Sequence, residues 1–141
     1  IMGNNQSIKK INFDDVQYVI KNNEMFMLIN TLPPAEQKCL IYNTSDINKE
    51  EELINQFIKL GNYNVKLIVY GKNSNDEKIF TKEEQLRKLG FHNTFIYTGG
   101  LFEWLMLQDI YDSTEFPTTS SELDILKYKP NKILNLKYIE F

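Results

Sequence analysis

The stretch Leu89-Gly90-Phe91-His92-Asn93-Thr94-Phe95-Ile96-Tyr97-Thr98-Gly99-Gly100-Leu101-Phe102-Glu103-Trp104 decides the fold. Gly90 closes a helix running from about Glu77 to Leu89, since glycine takes the left-handed cap without a Cβ penalty. Thr94 to Tyr97 has strand composition, and Gly99-Gly100 turns straight into an apolar helix from Leu101 to about Ile110. Upstream, Val65-Lys66-Leu67-Ile68-Val69-Tyr70 is the strongest strand of the chain, dense in β-branched residues. The polar loop Gly71-Lys72-Asn73-Ser74-Asn75-Asp76 joins that strand to the helix from Glu77.

Working outward, the alternation continues. Leu53, Ile54, Phe57, Ile58 and Leu60 fall at helical spacing, with Gly61 at the C′ position. Ser45, Asp46 and Asn48 offer caps for that helix, and Glu50-Glu51-Glu52 reads as a solvated first turn complementing its dipole. Met25 to Ile29 and Cys39 to Tyr42 are apolar runs of strand length, separated by the break Thr31-Leu32-Pro33-Pro34. Asn12 caps a helix over Phe13 to Asn22, with Ser7 to Ile11 as a short strand before it. Five strands alternating with helices predict an α/β fold: a mostly parallel five-stranded sheet with helices on both faces. Residues 1–7 read as a flexible polar start, 8–110 as the domain, and 111–141 as a C-terminal extension. Pro117 and Pro130 break the extension, yet Tyr128, Tyr138, Ile139 and Phe141 make it apolar enough to wrap the domain.

Composition narrows the function classes. The chain has 141 residues, 42% of them hydrophobic, enough for one core without cross-links. One cysteine and one histidine can form neither an internal disulfide nor a closed Cys/His zinc site. A net charge of −3 speaks against a phosphate-tracking surface, so no nucleic-acid partner is expected. No apolar run approaches the ~20 residues of a membrane span. A cytoplasmic, reducing location fits these counts, and no cofactor or metal is expected.

The quoted stretch resembles the rhodanese-like family, which shows a Gly-Phe, a short strand, Gly-Gly and a Trp at this spacing. Ile11-Asn12-Phe13-Asp14-Asp15-Val16 is similar to the start of that family's first helix, and Leu28-Ile29-Asn30-Thr31 with Glu36 to its next strand end. The resemblance covers residues 8 to 110. It implies a site at the carboxyl end of the central strand, where loop amides and a helix N-terminus stabilise a cysteine thiolate and its persulfide. Here the residue after that strand is Gly71, and no cysteine occurs from Leu40 to Phe141. Asn30 stands where the resemblance implies an Asp, Leu32 where it implies an Arg, and Asp76 and Glu77 oppose anion binding. The loop 71–76 therefore reads as a vestigial active site with no catalytic residue. The expectation is a non-catalytic interaction or regulatory module for a protein partner that the residues do not identify.

Three alternatives carry chemistry. Cys39 could act as a displaced nucleophile in a sulfurtransferase-type enzyme, against its simpler reading as a small buried hydrophobe. Ser74 could act only with a histidine to activate it, and His92 reads as part of a surface turn. The Gly71–Asp76 loop could bind an anion through its amides alone. The apolar cluster Leu101, Phe102, Trp104, Leu105, Met106 and Leu107 reads as core rather than a binding stripe.

Met2-Gly3-Asn4-Asn5-Gln6-Ser7 fits the M-G-x-x-x-[ST] pattern of N-myristoylation on Gly3, provided Met2 is the initiator. One myristoyl chain binds bilayers with a constant of only about 10⁴ M⁻¹. Lys9 and Lys10 would each add about 1 kcal/mol at an anionic leaflet. The expectation is a weak, reversible membrane association. Cys39 is too far into the chain and too strand-like for a second lipid.

Overall fold

The computed structural model describes residues 7–134. Gly3 and the motif up to Gln6, and Tyr138, Ile139 and Phe141, lie outside those residues. Four parallel strands, β1 (Lys9–Ile11), β2 (Phe26–Asn30), β3 (Lys66–Tyr70) and β4 (Thr94–Tyr97), form one sheet in the order β1-β4-β3-β2. Three helices connect them, α1 (Phe13–Lys21), α2 (Ile47–Lys59) and α3 (Lys78–Lys88), and α4 (Gly100–Ile110) follows β4. Short 3-10 turns stand at Pro34–Glu36 and Ile125–Tyr128.

The alternation of strand side chains splits the interior in two. Leu28, Ile68, Tyr70 and Tyr97 face α1 and α4, meeting Val16, Val19, Leu101, Trp104 and Leu105. Met27, Ile29, Leu67, Val69 and Ile96 face α2 and α3, meeting Ile54, Ile79, Leu86 and Phe91. Both faces are covered, which is why β2 and β3 read as continuous apolar runs rather than alternating ones. Trp104 is fully buried; its ring packs edge-on to Phe116 at 5.0 Å, and its indole N–H donates to the Pro117 carbonyl at 3.0 Å. The first part of the extension is thereby fastened to α4.

The sheet has four strands, not the five expected. Cys39, Leu40 and Ile41 are buried and Tyr42 is half-exposed, but the run joins no strand; Ile41 makes only an isolated antiparallel bridge to Thr118. Its backbone pairs elsewhere: Ile41 N–H donates to the Tyr70 hydroxyl at 3.1 Å, Tyr42 N–H to the Pro117 carbonyl, and the Leu40 carbonyl accepts from Thr119 N–H. An apolar run reports burial, and here the extension and one tyrosine satisfy the backbone in place of a ladder.

Smaller shifts have local causes. α2 begins at Ile47 because the Asp46 carboxylate caps it, accepting from Asn48 N–H at 2.8 Å. Glu50 is not solvated as expected: it is nearly buried and ion-paired with Lys82 of α3. α1 starts as read, with a capping box between Asn12 and Asp15.

Candidate functional site

In a parallel sheet with helices on both faces, ligand sites lie at the carboxyl ends of the strands. Three segments meet there: Asn30-Thr31 after β2, Gly71 to Asp76 after β3, and Gly99-Gly100 after β4. Gly100 sits at φ +72°, a conformation that favours glycine. A Cβ on it would lie 2.8 Å from the Gly71 carbonyl oxygen and 2.9 Å from the Asn73 nitrogen. That close approach lets Leu101 N–H donate to the Gly71 carbonyl and Phe102 N–H to the Lys72 carbonyl, each at 2.9 Å. The first amides of α4 are thus spent on the loop's own backbone.

Asp76 dominates the loop. One oxygen of its carboxylate accepts from Lys72 N–H and from the Thr31 hydroxyl, both at 3.0 Å, and the other from Lys78 N–H at 3.0 Å. These are charge-assisted bonds, and the last also serves the N-terminus of α3. A Cβ built on Gly71 would come within 2.3 Å of that first oxygen. The loop therefore holds a carboxylate of its own directly beside the residue that follows β3.

The remaining loop residues divide into anchored and open. Asn73 is buried; its oxygen accepts from Asn75 N–H at 2.9 Å and its amide donates to the Tyr128 carbonyl at 2.8 Å. Through that bond the extension straps the loop, with buried Tyr128 as its anchor. Lys72 pairs with Glu36 at 3.2 Å. Ser74 and His92 are both exposed. A cleft of about 380 Å³ opens beside the loop, lined among others by Lys72, Asn75, Lys78, Lys129 and Asn131.

The strand-end positions are built as structure. Asn30 is buried, its side-chain oxygen accepting from Leu32 N–H at 3.0 Å and from Gln37 at 2.8 Å. Leu32 is a core residue. Cys39 is buried, and its thiol donates to the Ser120 carbonyl at 3.3 Å rather than to any atom of the loop. Burial pushes that thiol above its ordinary pKa, the reverse of what activates a nucleophile. Tyr97 is buried, donating to Glu103 at 2.5 Å, and burial followed by that bond drives its pKa upward. Among the described residues no three His, Cys, Asp or Glu side chains gather to hold a metal, and no helix is long and apolar enough to cross a membrane.

Sequence reading located the loop but not its two controlling partners. Thr31 lies 45 positions from Asp76 and Tyr128 lies 55 from Asn73, beyond any local pattern. Asp76 did carry a signal: an Asp just before a helix is a capping candidate.

Comparison with solved structures gives the same fold. The single-domain sulfurtransferase RDL2 of Saccharomyces cerevisiae is similar at 23% identity and a TM-score of 0.55, over 76% of this chain and 96% of that one. A rhodanese-like domain from Anabaena sp. matches at 19% identity and a TM-score of 0.55, over 90% of this chain and 88% of that one. A search of curated proteins gave no match. The family model for the rhodanese-like domain matches residues 20–107, more than half of the chain, and with the parallel sheet and the strand-end loop it places the protein in the rhodanese-like domain family.

Proposed function

We propose that this chain is a non-catalytic rhodanese-like domain that works as an interaction or regulatory module, reversibly tethered to membranes through an acyl group on Gly3. One observation carries the non-catalytic part. The Asp76 carboxylate fills the space beside Gly71, consuming the Lys72 amide and the Thr31 hydroxyl. A negative charge already seated there repels an incoming sulfur anion, and Gly71 has no side chain to carry one. The buried, carbonyl-bound Cys39 supports the same reading. A thiosulfate:cyanide sulfurtransferase assay on the pure protein should give background turnover. Turnover that disappears in Cys39→Ala would overturn the proposal in favour of a displaced-cysteine enzyme.

A second reading, anion binding without chemistry, draws on Lys72, Lys78 and Lys129 around the cleft. It would use lysine side chains, since Asp76 already occupies the loop amide of Lys72. Titration with inorganic sulfate, followed by amide shifts of residues 72–78, separates it from the interaction reading. The tether is tested by intact mass: protein beginning at Met2 and made with an N-myristoyltransferase should lose Met2 and gain one acyl group.

A further inference from the structure

A groove between α1 and the sheet takes no part in the site above. Ile11, Phe26, Ile68 and Phe95 reach it from the four strands, and Asp15, Tyr18 and Val19 from α1; its volume is about 250 Å³ and its surface is mainly apolar. Tyr18 stands 60% exposed, edge-on to Phe26 at 6.0 Å, so the groove is open to water. Two ammonium groups hang over its rings: Lys66 Nζ is 5.5 Å from the Phe26 centroid and Lys9 Nζ is 5.6 Å from that of Phe95. The walls therefore suit an apolar, slender occupant, with Asp15 and Lys66 as the charged groups of the lining.

Register brings the start of the chain to this place. Lys9 pairs with Phe95 in the sheet, so the backbone arrives at β1 next to a ring that lines the groove. From Gly3 to Lys9 the chain can span at most about 20 Å, taking roughly 3.3–3.6 Å per residue. A group on Gly3 is thus held within reach at a high effective concentration. Resting on the acylation of Gly3 proposed above, we propose that the acyl chain docks in this groove in water and exchanges between it and the bilayer. The groove and the membrane would compete for one chain, so contacts at Tyr18 and Phe26 would set how much protein is membrane-bound.

The test uses full-length acylated protein, with intact mass confirming the acyl group and an isotope-labelled terminal acyl methyl as the probe. In lipid-free buffer that methyl should show nuclear Overhauser contacts to the rings of Phe26, Phe95 or Tyr18. Tyr18→Glu, at an exposed position, and Phe26→Glu should each raise sedimentation with phosphatidylcholine–phosphatidylserine vesicles about fivefold by expelling the chain. Acylated protein without those contacts, or with Tyr18→Glu sedimenting like the parent, overturns the docking while leaving the acylation intact. Absence of the acyl mass gain removes the acylation and the docking together.

Discussion

The carboxyl end of the sheet and the face beneath α1 are built on opposite plans. At the carboxyl end, polar groups are numerous and largely consumed by one another: Asp76 by Thr31, Lys72 and Lys78, and Asn73 by Tyr128 and Asn75. In the groove beside α1, aromatic rings stay open to water. A parallel sheet exposes its strand-end backbone at the carboxyl end, and polar satisfaction there is what holds the three loops in register. The apolar groove needs no such satisfaction, so it can stay empty at little structural cost. The difference teaches that the place where this fold ordinarily presents chemistry is here the self-contained part. The exposed aromatic rings of the groove sit beside α1.

The contrast breaks most visibly at glycine. Gly100→Ala should destabilise by about 2–4 kcal/mol, because a strained conformation combines with collision against loop backbone. Gly61, at φ +68° with nothing near its missing Cβ, should cost only about 1 kcal/mol on the same change. Urea midpoints of the two variants compare them directly. Equal losses would show that the loop yields easily and that the carboxyl end is not tightly built.

Asp76→Ala should lose about 2 kcal/mol by leaving Thr31 and two amides to find water, the acceptor being partly exposed. Accelerated hydrogen exchange confined to residues 71–78 would locate the effect. A wild-type exchange pattern would mean that Asp76 does not organise the loop.

Alkaline pH should also act at the carboxyl end, where Tyr70 and Tyr97 close β3 and β4. Burial raises both phenols above their unfolded value of about 10. Their contribution is fully present below that value and falls as pH rises past it, because the unfolded chain ionises first. Stability should therefore fall with pH above about 10, and Tyr97→Phe should flatten that slope. Cys39, whose thiol is also raised, should resist iodoacetamide until the protein unfolds.

The smallest effect belongs to the groove. Tyr18→Ser should change stability by no more than about 0.5 kcal/mol, since the ring is mostly exposed. A loss of several kcal/mol would show that the ring is structural and would blunt the contrast between the two regions.

Much of the fold was legible for physical reasons that are local. β3 and β4 carry β-branched and aromatic residues in short runs, and Asn12, Gly61, Gly90 and Gly99-Gly100 punctuate them with caps and turns. The fifth strand was misread because Cys39 to Tyr42 has the apolarity of a strand while its pairing partner is Tyr70 and the extension. Glu50 reads as solvated in sequence for a related reason: its partner Lys82 lies on another helix. The loop at Gly71 was visible as a site. Its filling by Asp76 was not, since that rests on a hydroxyl brought from the neighbouring strand end.

The packing of Asp76 against Gly71 also orders the mutational routes open to this protein. A side chain acquired at position 71 first would collide with a carboxylate held by its own hydrogen bonds, and the variant would suffer at once. Loss of Asp76 first would weaken the loop but clear the space. The two positions are thus expected to be strongly epistatic, with the cost of either change depending on the other. Such a pair acts as a ratchet, making any gain of a nucleophile at the strand end a two-step path through a less stable intermediate.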